Sequence, residues 1–122
     1  MKNSKQKQFD LEDRTFEFAK NVRAYIKRLH QNLSNREDVK QLLRSSGSVG
    51  ANYIEANNSL GKKDFFMRIK ISKKEAMESR YWLRLLDAGE AEDLESQRTQ
   101  LIKEAQELTN IFGAILKKST KS

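Results

Sequence analysis

"LLRSSGSVGANYIEANNSLG", Leu42 to Gly61, gathers glycine and serine in a chain that otherwise offers few breaks. Read as a loop, it splits the chain; read as a helix, it carries the chain through. Val39, Leu42, Leu43, Ser46, Val49, Gly50, Tyr53 and Ile54 recur three or four residues apart, and the period passes Gly47 and Gly50 without a slip. The spacing predicts a continuous helix. Glycine inside a helix costs about 1 kcal/mol against alanine, so Ser46, Gly47, Ser48 and Gly50 call for a neighbour that packs closely against them. A GxxG clamp of the KH type is the competing reading, but that clamp belongs to a fold with strands. No run of alternating β-branched residues announces one here. Gly61-Lys62-Lys63 also lacks the upstream glycine spacing and the following Ser or Thr of a Walker loop.

Working outward, "ANNSLGKKD" supplies the chain reversal after this helix, with Asn57, Asn58, Ser59 and Gly61 suited to capping and left-handed backbone. Before it, Ser34-Asn35-Arg36-Glu37 has the spacing of a capping box, with Ser34 as N-cap. A first helix is predicted from Leu11 to Leu29, capped by Asp10 and striped by Leu11, Thr15, Phe18, Ala19, Val22, Ile26 and Leu29. A third runs from Lys62 to Ala88 with a seam of Phe65, Ile69, Ser72, Ala76, Ser79, Leu83 and Leu86, whose small middle residues suit close approach to helix 2. A fourth runs from Asp93 to Lys118 through Leu94, Leu101, Ala105, Leu108, Phe112 and Ile115. Four helices joined by short turns predict an all-α, antiparallel up-down-up-down four-helix bundle. Residues 9–118 form it, flanked by a flexible basic N-terminus at 1–8 and a flexible C-terminus at 119–122.

The composition bounds what this domain does. At 122 residues there is room for one core. The chain has no cysteine and one histidine, His30, which leaves no disulfide framework and no ligand set for zinc. No cofactor is expected. No apolar run approaches the roughly 18 residues of a membrane span, and the start "MKNSKQKQ" lacks the apolar stretch of a signal peptide. A cytoplasmic protein without membrane contact is expected.

Helix 3 carries a second apolar stripe of Met67, Ile71, Tyr81 and Leu85, nearly opposite the first. Two apolar faces require two partners, so these residues are read as an oligomer interface. The alternative wedges helix 3 between its neighbours in the same chain. The net charge of +7 is uneven: residues 62–84 hold eight basic and three acidic side chains, whereas 90–107 hold two basic and six acidic ones. Clustered lysine and arginine favour phosphate contacts with RNA or DNA. The candidate nucleic-acid contacts are Lys70, Lys73, Lys74, Arg80 and Arg84, with Arg23, Lys27 and Arg28 of helix 1. Glu55, Glu75 and Glu78 are the remaining candidates for catalysis. Without an oriented base or a Glu-x-x-His motif they do not point to an enzyme, and Glu55 and Glu75 are expected to form ion pairs with arginines such as Arg44 or Arg80.

The stretches "QLLRSSGSVGANYIEA" and "KKDFFMRIKISKKEAMESRYWLRLLD" resemble the bacterial four-helix bundle proteins encoded in intervening sequences of 23S ribosomal RNA genes. The resemblance spans roughly Phe9 to Leu116. Its most specific part is the helix 2 pattern carried by Gln41, Leu42, Arg44, Ser48, Ala51, Asn52 and Glu55. Relatives often have proline at the position of Gly50 and glycine at that of Ala56, which implies a straighter helix 2 here. The resemblance implies a left-handed bundle assembled as a homopentamer, without enzymatic activity. A related branch, the accessory variability proteins of diversity-generating retroelements, forms basic pentamers that bind nucleic acid and a reverse transcriptase. The expected function is therefore a non-enzymatic, oligomeric nucleic-acid-binding bundle. Its rival is a scaffold that docks a protein partner and uses its charge only for solubility.

Overall fold

The computed structural model describes residues 10–120, and these hold four α-helices and no strand. They are α1 (Leu11–Arg28), α2 (Leu33–Asn57), α3 (Lys62–Leu85) and α4 (Glu92–Lys117), closed by a 3-10 turn at Lys118–Thr120. Residues 1–8 and the last two of segment 119–122, read above as flexible, lie outside the described residues. No helix among the described residues is long and apolar enough to cross a membrane.

Local chemistry sets the helix ends. Asp10 caps α1 as expected, its carboxylate accepting from the Glu12 and Asp13 amides. The start of α2 differs from the capping-box reading. Asn32, not Ser34, is the N-cap; its side-chain oxygen accepts from the Asn35 amide at 2.8 Å, while Ser34 donates to the same oxygen. Asparagine caps as well as serine does, and the earlier start frees Asn35 to turn inward. Buried Asn35 donates to the carbonyls of His30 and Asp87 and accepts from the Asp87 amide, tying the α1–α2 turn to the α3–α4 turn. Helix α3 stops at Leu85, three residues before the predicted end, where Leu86 adopts extended backbone. The turn that follows uses Gly89 at φ 72°, where a side chain would be strained.

α1 packs on α2 and α4, and α3 packs on the same two, so α1 and α3 face each other across the core. Along each contact, rising residue numbers meet falling ones. Glu12 meets Asn57 and Arg23 meets Leu43; Ser45 meets Ser79 and Asn52 meets Arg68. Arg14 meets Glu104 and Arg28 meets Gln97; Lys73 lies beside Gly113 and the Leu83 carbonyl meets Arg98. The core between them holds Phe18, Val22, Tyr25, Leu42, Val49, Ile69, Ala76, Leu83, Ala105, Leu108 and Phe112.

The Gly-Ser stretch is helical from end to end. Its small residues face two neighbours rather than the one expected. The serines meet α3: Ser72 donates to the Val49 carbonyl at 2.9 Å, and the Ser79 and Ser45 hydroxyls stand 3.0 Å apart. The glycines meet α1. A Cβ on Gly50 would stand 2.8 Å from Thr15 Oγ1, a hydroxyl held in place by the Leu11 carbonyl. A Cβ on Gly47 would stand 3.5 Å from the tip of flexible Arg23.

These contacts separate two alanine substitutions that helix propensity alone makes equal. Gly47→Ala is expected to raise stability by up to about 1 kcal/mol. Gly50→Ala is expected to lower it by about 1–2 kcal/mol through overpacking against Thr15. Urea midpoints check both; equal stabilisation by the two contradicts the close α1–α2 approach. Asn35→Ala removes three hydrogen bonds at a buried site and is expected to cost about 2–3 kcal/mol. A loss below about 0.5 kcal/mol would show that the two turns do not depend on it.

Candidate nucleic-acid interface on helix α3

The seam of α3 turns Ile69, Ser72, Ala76, Ser79 and Leu83 into the core, which at 3.6 residues per turn sends the positions between them outward. Lys70, Lys74 and Arg84 are exposed there, and Lys73 and Arg80 are half-buried on the same helix. Lys73 lies along α4, where the position of a Cβ on Gly113 would be 3.8 Å from its Cε. A shallow depression of about 410 Å³ is lined by Met67, Lys70, Ile71, Lys73, Lys74 and Met77. None of these five candidate cations makes an ion pair among the described residues.

The other three expected contacts lie elsewhere. Arg23, Lys27 and Arg28 are on α1, across the core from α3, so one protomer does not join the two sets into a single surface. Arg23 is laid over α2, donating to the carbonyls of Ala19 and Leu43. Arg28 turns to α4, where it pairs with Asp93 and donates to Gln97 at 2.7 Å. Hydrogen bonding from Arg28 holds the Asp93 carboxyl below its usual range. Arg23 and Lys27 are both exposed without an ion pair among the described residues, Arg23 being engaged only by those backbone carbonyls.

Arg14, absent from the expectations, is the strongest electrostatic link between α1 and α4. It grips Glu104 through two nitrogens at 2.7 and 2.8 Å and reaches Glu107 at 2.8 Å. These hydrogen bonds raise its already high pKa and keep it charged. Nothing local announces a partner 90 positions away. The carboxylates of α4 therefore engage Arg14 and Arg28 of α1 and make no ion pair with Lys70, Lys73, Lys74, Arg80 or Arg84 of α3 among the described residues. A polar groove of about 610 Å³ between α1 and α4 has Arg14 and Arg28 among its lining residues, both of them engaged by carboxylates.

The carboxylates weighed for catalysis divide. Glu75 is buried and Glu78 half-buried, and both accept from Arg44 at 3.3 Å. Glu55 is exposed and has no ion pair among the described residues, contrary to the expected arginine contact. The residues read as an oligomer interface do not make one unbroken apolar face. Met67, Tyr81 and Leu85 are exposed and Ile71 is half-buried, with Lys70 and Lys74 interleaved. A second apolar surface, which the sequence reading missed, lies between α1 and α2. It is a groove of about 470 Å³ floored by Ala19, Gly47, Gly50 and Ala51, with exposed Phe16 and Ile54 at its walls.

No functionally curated protein matches the chain. A solved structure from Bacteroides thetaiotaomicron VPI-5482, described as a protein with unknown function from the S23 ribosomal protein family, is 30% identical with a TM-score of 0.69. The match covers 87% of this chain and 97% of that one. With the model for the 23S rRNA-intervening sequence protein matching residues 7–114, the chain belongs to that family.

Proposed function

We propose that this chain is a non-enzymatic RNA-binding protein, an up-down-up-down helical bundle that self-associates and holds RNA phosphates on α3. The observation that carries the reading is the row of α3 cations without carboxylate partners, Lys70, Lys74 and Arg84 exposed among them, whereas Arg14 and Arg28 of α1 are held by carboxylates of α4. An unpaired lysine keeps its full charge for a phosphate, whereas a paired arginine must first give up its carboxylate. The falling and rising residue pairs between successive helices support the up-down order. Assembly, as a pentamer by the family resemblance, would repeat the α3 strip and let weak contacts add through multivalency. The apolar α1–α2 groove supports self-association, since Phe16, Ala19, Ala51 and Ile54 gather there on the surface of one protomer.

Fluorescence anisotropy at several salt concentrations tests the reading. A labelled single-stranded RNA is expected to bind with affinity that falls steeply with salt. Replacing Lys70, Lys74 and Arg84 together by glutamine removes three phosphate contacts and lowers the slope of log affinity against log salt by about 2. Assembly, followed by light scattering, is unchanged in the same variant. Equal affinity and slope for the variant and the native protein would overturn the proposal.

A further inference from the structure

We infer that Tyr81 is a base-stacking residue, and that the α3 surface takes unpaired RNA in preference to duplex; the inference rests on the RNA reading above. Tyr81 is 54% exposed although it is a large aromatic side chain. Its ring is fixed by Trp82, half-buried next to it, in an edge contact with centroids 5.0 Å apart and planes at 78°. The contact orders the ring before any ligand arrives, so little conformational freedom is left to lose on binding.

The charge around Tyr81 suits the same ligand. Arg84 follows one turn later and Lys74 precedes it by two turns, about 15 Å of helix from end to end. Both are exposed and neither has an ion pair among the described residues. Glu78, three residues before Tyr81, is the nearby carboxylate on α3, and Arg44 of α2 draws it away. A π-surface between two phosphate-binding cations is the arrangement that holds single strands: the cations track the backbone and the ring takes a base. Duplex RNA keeps its bases stacked inside and presents a major groove too deep and narrow for side chains, so it gains only the phosphate contacts here.

The experiment compares native protein, Tyr81→Phe and Tyr81→Ala against two probes. One is an oligoadenylate of about twelve nucleotides, within the usual range of single-strand site sizes; the other is a blunt RNA duplex of equal length. Trp82 is the single tryptophan of the chain and reports from beside the ring. Native protein is expected to bind the single strand more tightly than the duplex and to change Trp82 emission on doing so. Tyr81→Phe retains both effects. Tyr81→Ala weakens single-strand binding on the order of 5- to 150-fold, leaves duplex affinity and the mass of the assembly unchanged, and abolishes the emission change. Single-strand affinity indifferent to Tyr81→Ala would overturn the inference while the RNA reading stands. So would a changed assembly mass, which would make Tyr81 a contact between copies. Failure of the native protein to bind either probe would overturn the RNA reading itself.

Discussion

Helix α2 approaches both of its neighbours more closely than leucine-sized side chains permit, and the rest of the molecule is arranged around that approach. On one side Gly50 lets Thr15 of α1 come to where a Cβ would clash. On the other, the serines interlock: Ser72 bonds an α2 carbonyl and Ser79 meets Ser45. Hydroxyls buried in such a seam remain hydrogen-bonded, so close contact is gained without stranding polar groups. The bulky side chains Phe18, Tyr25, Ile69 and Phe112 are then concentrated in the centre.

That packing fixes how charge is shared out. Because α1 lies between α2 and α4, its arginines at positions 14 and 28 reach the carboxylates of α4. Helix α3 also packs on α4, but it meets it differently. There Lys73 runs beside Gly113, and Arg98 spends its guanidinium on Glu95 and on the carbonyls of Leu83 and Arg84. The result is that Arg14 and Arg28 are matched by carboxylates across the α1–α4 contact, whereas Lys70, Lys74 and Arg84 of α3 stand exposed without such partners. A net charge of +7 says nothing of this division; it follows from which helices touch. Long-range steering of a polyanion depends on the unmatched cations, since paired charges cancel within a few ångströms.

The helical period was legible because it rests on local chemistry. The stripes of α1, α3 and α4 fell where apolar spacing put them, and Gly47 and Gly50 were recognisable as helical from the uninterrupted run. What could not be read was pairing between distant positions. Asn35 looked like the interior of a capping box, yet it joins two turns through Asp87 at 52 positions' remove. Arg28 and Lys74 looked equivalent as exposed cations; only the fold shows Arg28 committed to Asp93 and Lys74 without such a partner. The glycines announced a close neighbour but not its identity, and it proved to be α1 rather than α3. An amphipathic stripe marks the core side of a helix, whereas the partner of an outward charge depends on the neighbour's register.

The most direct test of the central claim, that the unmatched cations of α3 form the RNA surface, is photocross-linking of bound single-stranded RNA followed by mass spectrometry of the linked peptides. Adducts are expected within Lys70–Leu85, with α1 from Arg23 to Arg28 unlabelled. Adducts concentrated on α1, or spread evenly over all four helices, would contradict it.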